Sequence, residues 1–275
     1  MSGPQLTFIV AQPLLVLVVA AILIAQPVSV ERLARFARRH AVTLTDENRH
    51  LAVRYLATTR RWRTAGVVLG IVISATYTWW HNRTMDWSAL GMFAGWFVGA
   101  IIAEWRLSLP TSGGRRVASL VPRRLRDYLG PWALWIPIGA GALIFGLAIR
   151  GLAEGPEWPL VWGPLALVAT GVVIVGVGRH VLNRAQPAGS RDLVAVDDAL
   201  RSRSLHVLAG SAVAIGGYLA SIVIAYLAEW GRGYDTGWLS WWSALGLLVC
   251  PFVGVAIATA PTRPRVGDAR TSVPV

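Results

Sequence analysis

The chain alternates long apolar runs with short stretches rich in arginine. Seven apolar runs stand out, at residues 7–26, 65–80, 87–104, 132–149, 158–178, 207–227 and 239–259, each 16 to 21 residues long. That is the length an α-helix needs to cross a hydrocarbon core of roughly 30 Å at about 1.5 Å per residue. The pattern predicts an all-α protein, a polytopic helical bundle with seven transmembrane helices. It reads as a single membrane domain over 1–275. Its parts are a first transmembrane helix (1–26), a basic segment (27–64), a helix hairpin (65–104), a basic loop (105–130), a middle hairpin (131–178), a further loop (179–206), a second hairpin (207–259) and a disordered tail (260–275).

The connections fix an orientation. Residues 27–64 hold nine arginines, 105–130 hold six, 179–206 hold five and the tail after 259 holds three, so 23 of the 26 basic residues lie on one side. The opposite loops receive one each, Arg83, Arg150 and Arg232. Because cytoplasmic loops accumulate positive charge, the expectation is an inner-membrane protein with its N-terminus outside and its C-terminus in the cytoplasm. Tryptophans, which favour the interface, agree. Trp79, Trp80, Trp87, Trp158, Trp162, Trp230, Trp238, Trp241 and Trp242 mark the outer boundary, and Trp62, Trp105, Trp132 and Trp135 the inner one, with Trp96 alone in mid-span. Residues 1–6 lack the positive charge of a secretory signal, and basic residues follow the first apolar run instead, which favours an uncleaved first helix.

Composition supports the class and removes several chemistries. The chain is 55% hydrophobic and 15% charged, with a mean hydropathy of +0.53, against about 25% charged residues in a soluble protein. Every basic residue other than histidine is arginine. Without lysine there is no Schiff-base cofactor chemistry and no phosphate-loop lysine. The single cysteine, Cys250, excludes an intrachain disulfide and a cysteine-held cluster. The reading expects no cofactor.

The chain also carries an internal duplication. Residues 87–103 and 242–258 align without a gap, and ten of the 17 positions are identical, beginning with Trp-Ser-Ala-Leu-Gly in both, where composition alone would give about two. Upstream, Ile71-Val72-Ile73 matches Ile222-Val223-Ile224, Gly66 matches Gly217, and Asp46-Glu47 falls on Asp197-Asp198. Segments two and three therefore repeat as segments six and seven in the same orientation, a parallel repeat. The duplication keeps small residues four apart: Gly91, Gly95 and Gly99 in one copy, Gly246, Cys250 and Gly254 in the other. Such small-xxx-small stripes let helix backbones approach closely. They are expected to mediate helix packing, including contact between segments three and seven across the repeat axis.

The search for chemistry yields less. The interiors of the seven runs contain no Asp, Glu, His or Arg. A charge at mid-bilayer costs about 2.5–3.5 kcal/mol and is the usual mark of an ion pathway. Glu104 falls at the inner end of segment three. Pro137 and Pro164 interrupt the middle hairpin and would open a membrane-depth cavity there if that hairpin carried a substrate. The acidic pairs Asp46, Glu47, Asp197 and Asp198 are weak metal candidates, since carboxylate-bridged sites need further ligands that the repeat does not supply. As helix openers they would complement the positive end of the dipole.

The arginines carry the remaining signal. Val30, Leu33, Phe36 and Ala37 recur at helical spacing with Arg32, Arg35, Arg38 and Arg39 between them, which predicts a basic amphipathic helix on the inner leaflet. A second basic set, Arg115, Arg116, Arg123, Arg124 and Arg126, follows a Gly-Gly turn that can cradle phosphate. These nine are the candidate lipid- or partner-binding residues. Arg54, Arg60, Arg61 and Arg63 are expected to snorkel to the headgroups. No catalytic triad order, zinc-protease motif or nucleotide fingerprint is present. The net charge of +12 is spread over membrane-proximal loops, which argues against nucleic acid as a partner.

The favoured expectation is a non-catalytic, permease-like or scaffolding subunit of a membrane complex. Its arginine-rich inner face would bind anionic lipids or an acidic partner, and a separate ATPase would drive any energised transport. Two other readings compete. One is a membrane enzyme acting on a lipid phosphate, with the acidic pairs converging on a metal. The other is a transporter of an uncharged or hydrophobic substrate.

Overall fold

The computed structural model describes residues 18–82, 89–108, 116–117, 124–154, 158–184, 186–187, 190–230 and 237–261, and they form an all-helical protein. A first helix, α1, covers 18–25 within the described residues and stops before Pro27. Then follow α2 (Val30–His40), α3 (Asp46–Asn82), α4 (Ala89–Ser108), α5 (Pro131–Glu154), α6 (Trp158–Asn183), α7 (Arg191–Trp230) and α8 (Gly237–Ala258). Among the described residues the one non-helical pairing is a two-residue antiparallel ladder, Arg116–Val117 against Gln186–Pro187, joining the loops after α4 and α6.

Among the described residues, three helical stretches are long and apolar enough to cross a membrane: Pro131–Ala153, Leu160–Asn183 and Arg191–Leu227. The first two bury only 12% and 11% of their most apolar windows, whereas the third buries 67%, so α7 is the central helix and α5 and α6 form an outer face. Ile138, Leu143, Ile149, Val172 and the rings of Trp132 and Trp135 lie open on that face. An apolar surface of this extent needs a bilayer or a partner to cover it, and the protein is compatible with life in a membrane.

Two helices are much longer than a bilayer requires. With 37 residues, α3 runs for about 55 Å, and α7, with 40 residues, for about 60 Å, at the usual rise per residue. Their N-terminal turns project as a paired extension. Asn48, fully buried, ties the two starts together. Its Oδ1 accepts the Thr45 N–H at 2.9 Å, and its amide donates to the carbonyls of Thr43 at 2.9 Å and Asp192 at 3.4 Å. The other acidic pair does not open a helix as its sequence position suggested. The first turn of α7 carries Asp192, with the Ser190 hydroxyl accepting the Leu193 N–H, and Asp197 lies deeper, buried in the second turn.

On this extension sits α2. The Ser29 side chain accepts the Arg32 N–H at its start, and Ala41 turns left-handed (φ 48°) at its end. Leu33 and Phe36 join Ala52 and Tyr55 of α3 and Val196, Ala199 and Leu200 of α7 in one core. The apolar stripe that the sequence reading laid against the inner leaflet is therefore spent on the protein itself, and only Val30 remains largely exposed.

Glycines govern the hairpins. A Cβ added to Gly66 would fall on the carbonyl oxygen of Gly95, and one added to Gly70 on that of Gly91. One at Gly99 would strike the carbonyl of Trp62. In the second hairpin the Cys250 side chain fills the space above Gly217, Gly246 faces Ser221 and Gly254 faces Gly210. Each stripe thus packs on the preceding helix of its own hairpin. Contact between the stripes of α4 and α8 is limited to the Phe97 ring, whose Cζ lies 3.2 Å from where a Gly254 Cβ would stand. By contrast, nothing lies within 4 Å of a Cβ placed on Gly139, Gly146, Gly171 or Gly176 of the outer pair.

Candidate functional site

The glycine contacts set the register of α3 against α4, and the register explains where the buried charge sits. Gly70, Gly66 and Trp62 step past Gly91, Gly95 and Gly99 four residues at a time. Glu104, five residues beyond Gly99, therefore comes level with Ala57, five before Trp62. That is about two turns on the basic side of residue 65, where the apolar run of α3 begins. Trp96 comes level with Ala65 by the same count.

Glu104 is completely buried there. The Tyr55 hydroxyl donates to its Oε1 at 2.8 Å, and Ser204 of α7 lies beside it. Burial and the adjoining carboxylate push the Tyr55 phenol well above its ordinary range, so it remains a donor. The positive charges of Arg63 and Arg203 face this pair. The Arg63 guanidinium stacks 4.7 Å from the centre of the Trp96 ring, and Arg203 lies 5.8 Å from the rings of both Phe36 and Tyr55. Nearby, His40 is buried against Phe36, with ring centres 4.7 Å apart. Burial first, then the positive neighbours Arg203, Arg39 and His206, lower its pKa to about 4. The ring is therefore neutral at physiological pH.

Above this buried layer opens a cavity of about 430 Å³. Helical spacing builds its walls. On α3, Leu56, Thr59, Arg60, Arg63, Thr64 and Val67 follow one face, and on α2, Arg32, Arg35, Phe36 and Arg39 do the same. Trp96, Arg203, Leu23 and Val28 complete the lining. Among the described residues, six arginines and no carboxylate therefore surround one space, with Thr59, Thr64 and apolar side chains making up the rest of its walls. Arg60 also anchors the linker between α1 and α2, donating to the carbonyls of Gln26 and Pro27. Nε and Nη2 of Arg63, Nε of Arg60 and Nε of Arg203 are buried and meet no hydrogen-bond acceptor among the described residues.

Of the nine candidate arginines, the structure gathers three, Arg32, Arg35 and Arg39, into this cavity. Arg38 points elsewhere and is exposed. Arg115 and Arg123 lie outside the described residues, and Arg116 contributes backbone to the short ladder. Arg124 precedes a short turn of 3-10 helix, its N–H donating to Asp127 at 2.8 Å, and Arg126 is exposed. Sequence reasoning assigned Arg60 and Arg63 to headgroup snorkelling and passed over Arg203, Tyr55 and the depth of Glu104. The spacing of Arg60, Arg63 and Val67 on one helix face was the available signal.

The acidic pairs have other occupations. Asp46 is exposed, and Glu47 accepts a hydrogen bond from Ser190 at 2.7 Å. Asp197 receives Nε of Arg201 at 2.8 Å and its Nη2 at 2.7 Å, while Arg184 binds its second oxygen at 2.5 Å. Arg201, fully buried, also donates to the carbonyls of Val181 and Leu182 and so caps the end of α6. Arg184 reaches the Leu107 carbonyl at the end of α4. Asp198 accepts from the Tyr128 hydroxyl at 3.4 Å. Among the described residues no three His, Cys, Asp or Glu side chains gather as metal ligands. Neither this cavity nor the apolar groove of about 610 Å³ along α3 and α4 is lined by Pro137 or Pro164.

Comparison with known proteins finds no family model that matches the chain, and no curated protein or solved structure that matches it.

Proposed function

We propose that this chain is a non-catalytic inner-membrane protein that holds an anionic amphiphile at its cytoplasmic end. The observation that carries the reading is the cavity, whose described lining combines six arginines and no carboxylate with the apolar Leu23, Val28, Val67 and Trp96. A charged headgroup with an apolar tail matches both walls. A free, fully hydrated anion would leave the apolar wall unused. Charge-assisted hydrogen bonds from arginine are the strongest polar contacts available to such a headgroup.

In this reading the chain spans the membrane seven times, N-terminus outside, with 23 arginines on the cytoplasmic side. The parallel repeat draws support from the helix contacts. The pairs Gly66–Gly95 and Gly70–Gly91 of the first hairpin correspond, through the sequence alignment, to Gly217–Cys250 and Ser221–Gly246 of the second. The Tyr55–Glu104 pair has no such counterpart, since the equivalent positions are His206 and Thr259, so the anion site belongs to one copy alone. The open apolar face of α5 and α6 is where further subunits of a complex would pack.

The test is retention of lipid through purification. Extracted from its native membrane in mild detergent, the wild-type chain should carry a phosphate-bearing lipid detectable by mass spectrometry. The triple variant Arg32→Ala, Arg35→Ala, Arg39→Ala should lose it, whereas Arg38→Ala, Arg49→Ala, Arg54→Ala should not. Equal loss from both would mean a diffuse basic surface and would overturn the reading.

A further inference from the structure

The cavity is chemically unfinished in a way that specifies its occupant. Four buried N–H groups on Arg60, Arg63 and Arg203 have no acceptor among the described residues, and a buried donor left unpaired is costly. Glu104 does not line the cavity and is engaged by Tyr55. The loop segment 109–123 contains no Asp or Glu that would supply a carboxylate. What fits is an anion that brings several acceptor oxygens to the neighbouring guanidiniums of Arg63 and Arg203, with Arg60 in the same lining.

Charge narrows it further. A phosphate monoester carries a charge of about −1.5 to −2 near neutral pH and presents three free oxygens, whereas a phosphodiester carries a single negative charge and two free oxygens. Held on α3 and α7 by Leu33 and Phe36, α2 adds Arg32, Arg35 and Arg39 to the same lining, and a positive charge of this size is met better by a dianionic headgroup than by a monoanionic one. Leu23, Val67 and Trp96 in the same lining offer apolar contact to a chain.

We infer that the cavity binds the terminal phosphate of a lipid monophosphate, of the prenyl phosphate or phosphatidic acid kind, in preference to phosphodiester lipids. Arg63 and Arg203 form the floor and Arg32, Arg35 and Arg39 the closing rim. This rests on the anionic-amphiphile reading above and names the headgroup it selects.

The experiment uses the full-length chain in phosphatidylcholine nanodiscs, titrated separately with farnesyl monophosphate, phosphatidylglycerol and inorganic phosphate, with binding followed by native mass spectrometry and calorimetry. One farnesyl monophosphate should bind per chain, about tenfold or more tighter than either comparison ligand. Arg63→Gln and Arg203→Gln should each weaken it by about tenfold to a hundredfold. Arg54→Gln and Arg61→Gln, exposed on α3 and outside the cavity, should leave it unchanged. Phosphatidylglycerol binding as tightly, and still lost in Arg63→Gln, would overturn the monoester preference while leaving the broader reading in place. Inorganic phosphate binding as tightly would make this a soluble-anion site and overturn the lipid source. Binding of none of the three would overturn both. The wild-type comparison needs no variant, so a substitution that impairs folding does not blur the outcome.

Discussion

Replacing Asp197 with alanine removes the carboxylate that faces Arg201, the largest fully buried side chain among the described residues. Arg201 has no exposure to solvent and gives two of its nitrogens to Asp197. Truncating one member of a buried ion pair costs about 3–5 kcal/mol, because the remaining charge is left uncompensated. Two features of the site pull the figure toward the lower end. Arg201 keeps the carbonyls of Val181 and Leu182 through Nη1, and Arg184, with a side chain 21% exposed, can turn to water. At about 2–4 °C per kcal/mol for a chain of this size, a cost of about 3 kcal/mol lowers the melting temperature by roughly 6–12 °C. Adding Arg201→Leu should restore part of the loss, since an apolar pair in place of a buried ion pair is close to neutral. Recovery stays incomplete because the α6 carbonyls lose their donor. The assay is thermal unfolding in detergent followed by circular dichroism, with and without EDTA. A variant melting within about 2 °C of wild type would refute the structural role. So would a wild type that EDTA destabilises by the same amount, because that would make Asp197 a metal ligand after all.

Three further outcomes follow from the same geometry. Alanine at Gly66 or Gly95 forces the α3–α4 backbones apart and should cost about 1–3 kcal/mol. Alanine at Gly139 or Gly171, where nothing lies within 4 Å, should be neutral or stabilise by up to about 1 kcal/mol through helix propensity. Equal effects at the two kinds of site in the same unfolding assay would contradict the close contact. His40, with its pKa lowered to about 4, contributes stability that is fully present above its ordinary pKa near 6.5 and is lost as pH falls through 4. The wild-type melting temperature should therefore drop between pH 7 and pH 5, and His40→Gln should flatten that drop; identical slopes would exclude His40 as the source.

The parts of this molecule legible in its sequence are those that depend on one helix at a time. Apolar runs located the helices, and the three-and-four spacing of Arg32, Arg35 and Arg39 put them on one face of α2. The glycine stripes announced close packing. What they packed against was not legible, because a stripe carries no record of its partner. Glu104 shows the same limit. By sequence it ends an apolar run, yet the glycine register sets it level with Ala57, against Tyr55 and under two arginines. Arg63 and Arg203 lie 140 residues apart, and their meeting depends on how α3 and α7 pair through Asn48 and the core beneath α2. The Asp197–Arg201 pair was within reach, since the two are four residues apart on one helix. Its alignment with Asp46-Glu47 drew attention to a metal instead.

The central claim is that the basic end of the bundle holds one discrete anion cavity with an apolar wall. The most direct measurement is photo-crosslinking with a prenyl monophosphate analogue that carries a diazirine in its first isoprene unit, followed by peptide mapping of the full-length chain in nanodiscs. The structure predicts labelling confined to residues that line the cavity, Leu23, Val28, Val67 and Trp96 among them, and suppressed by Arg63→Gln. Labelling spread over the open faces of α5 and α6, and unchanged in that variant, would contradict it.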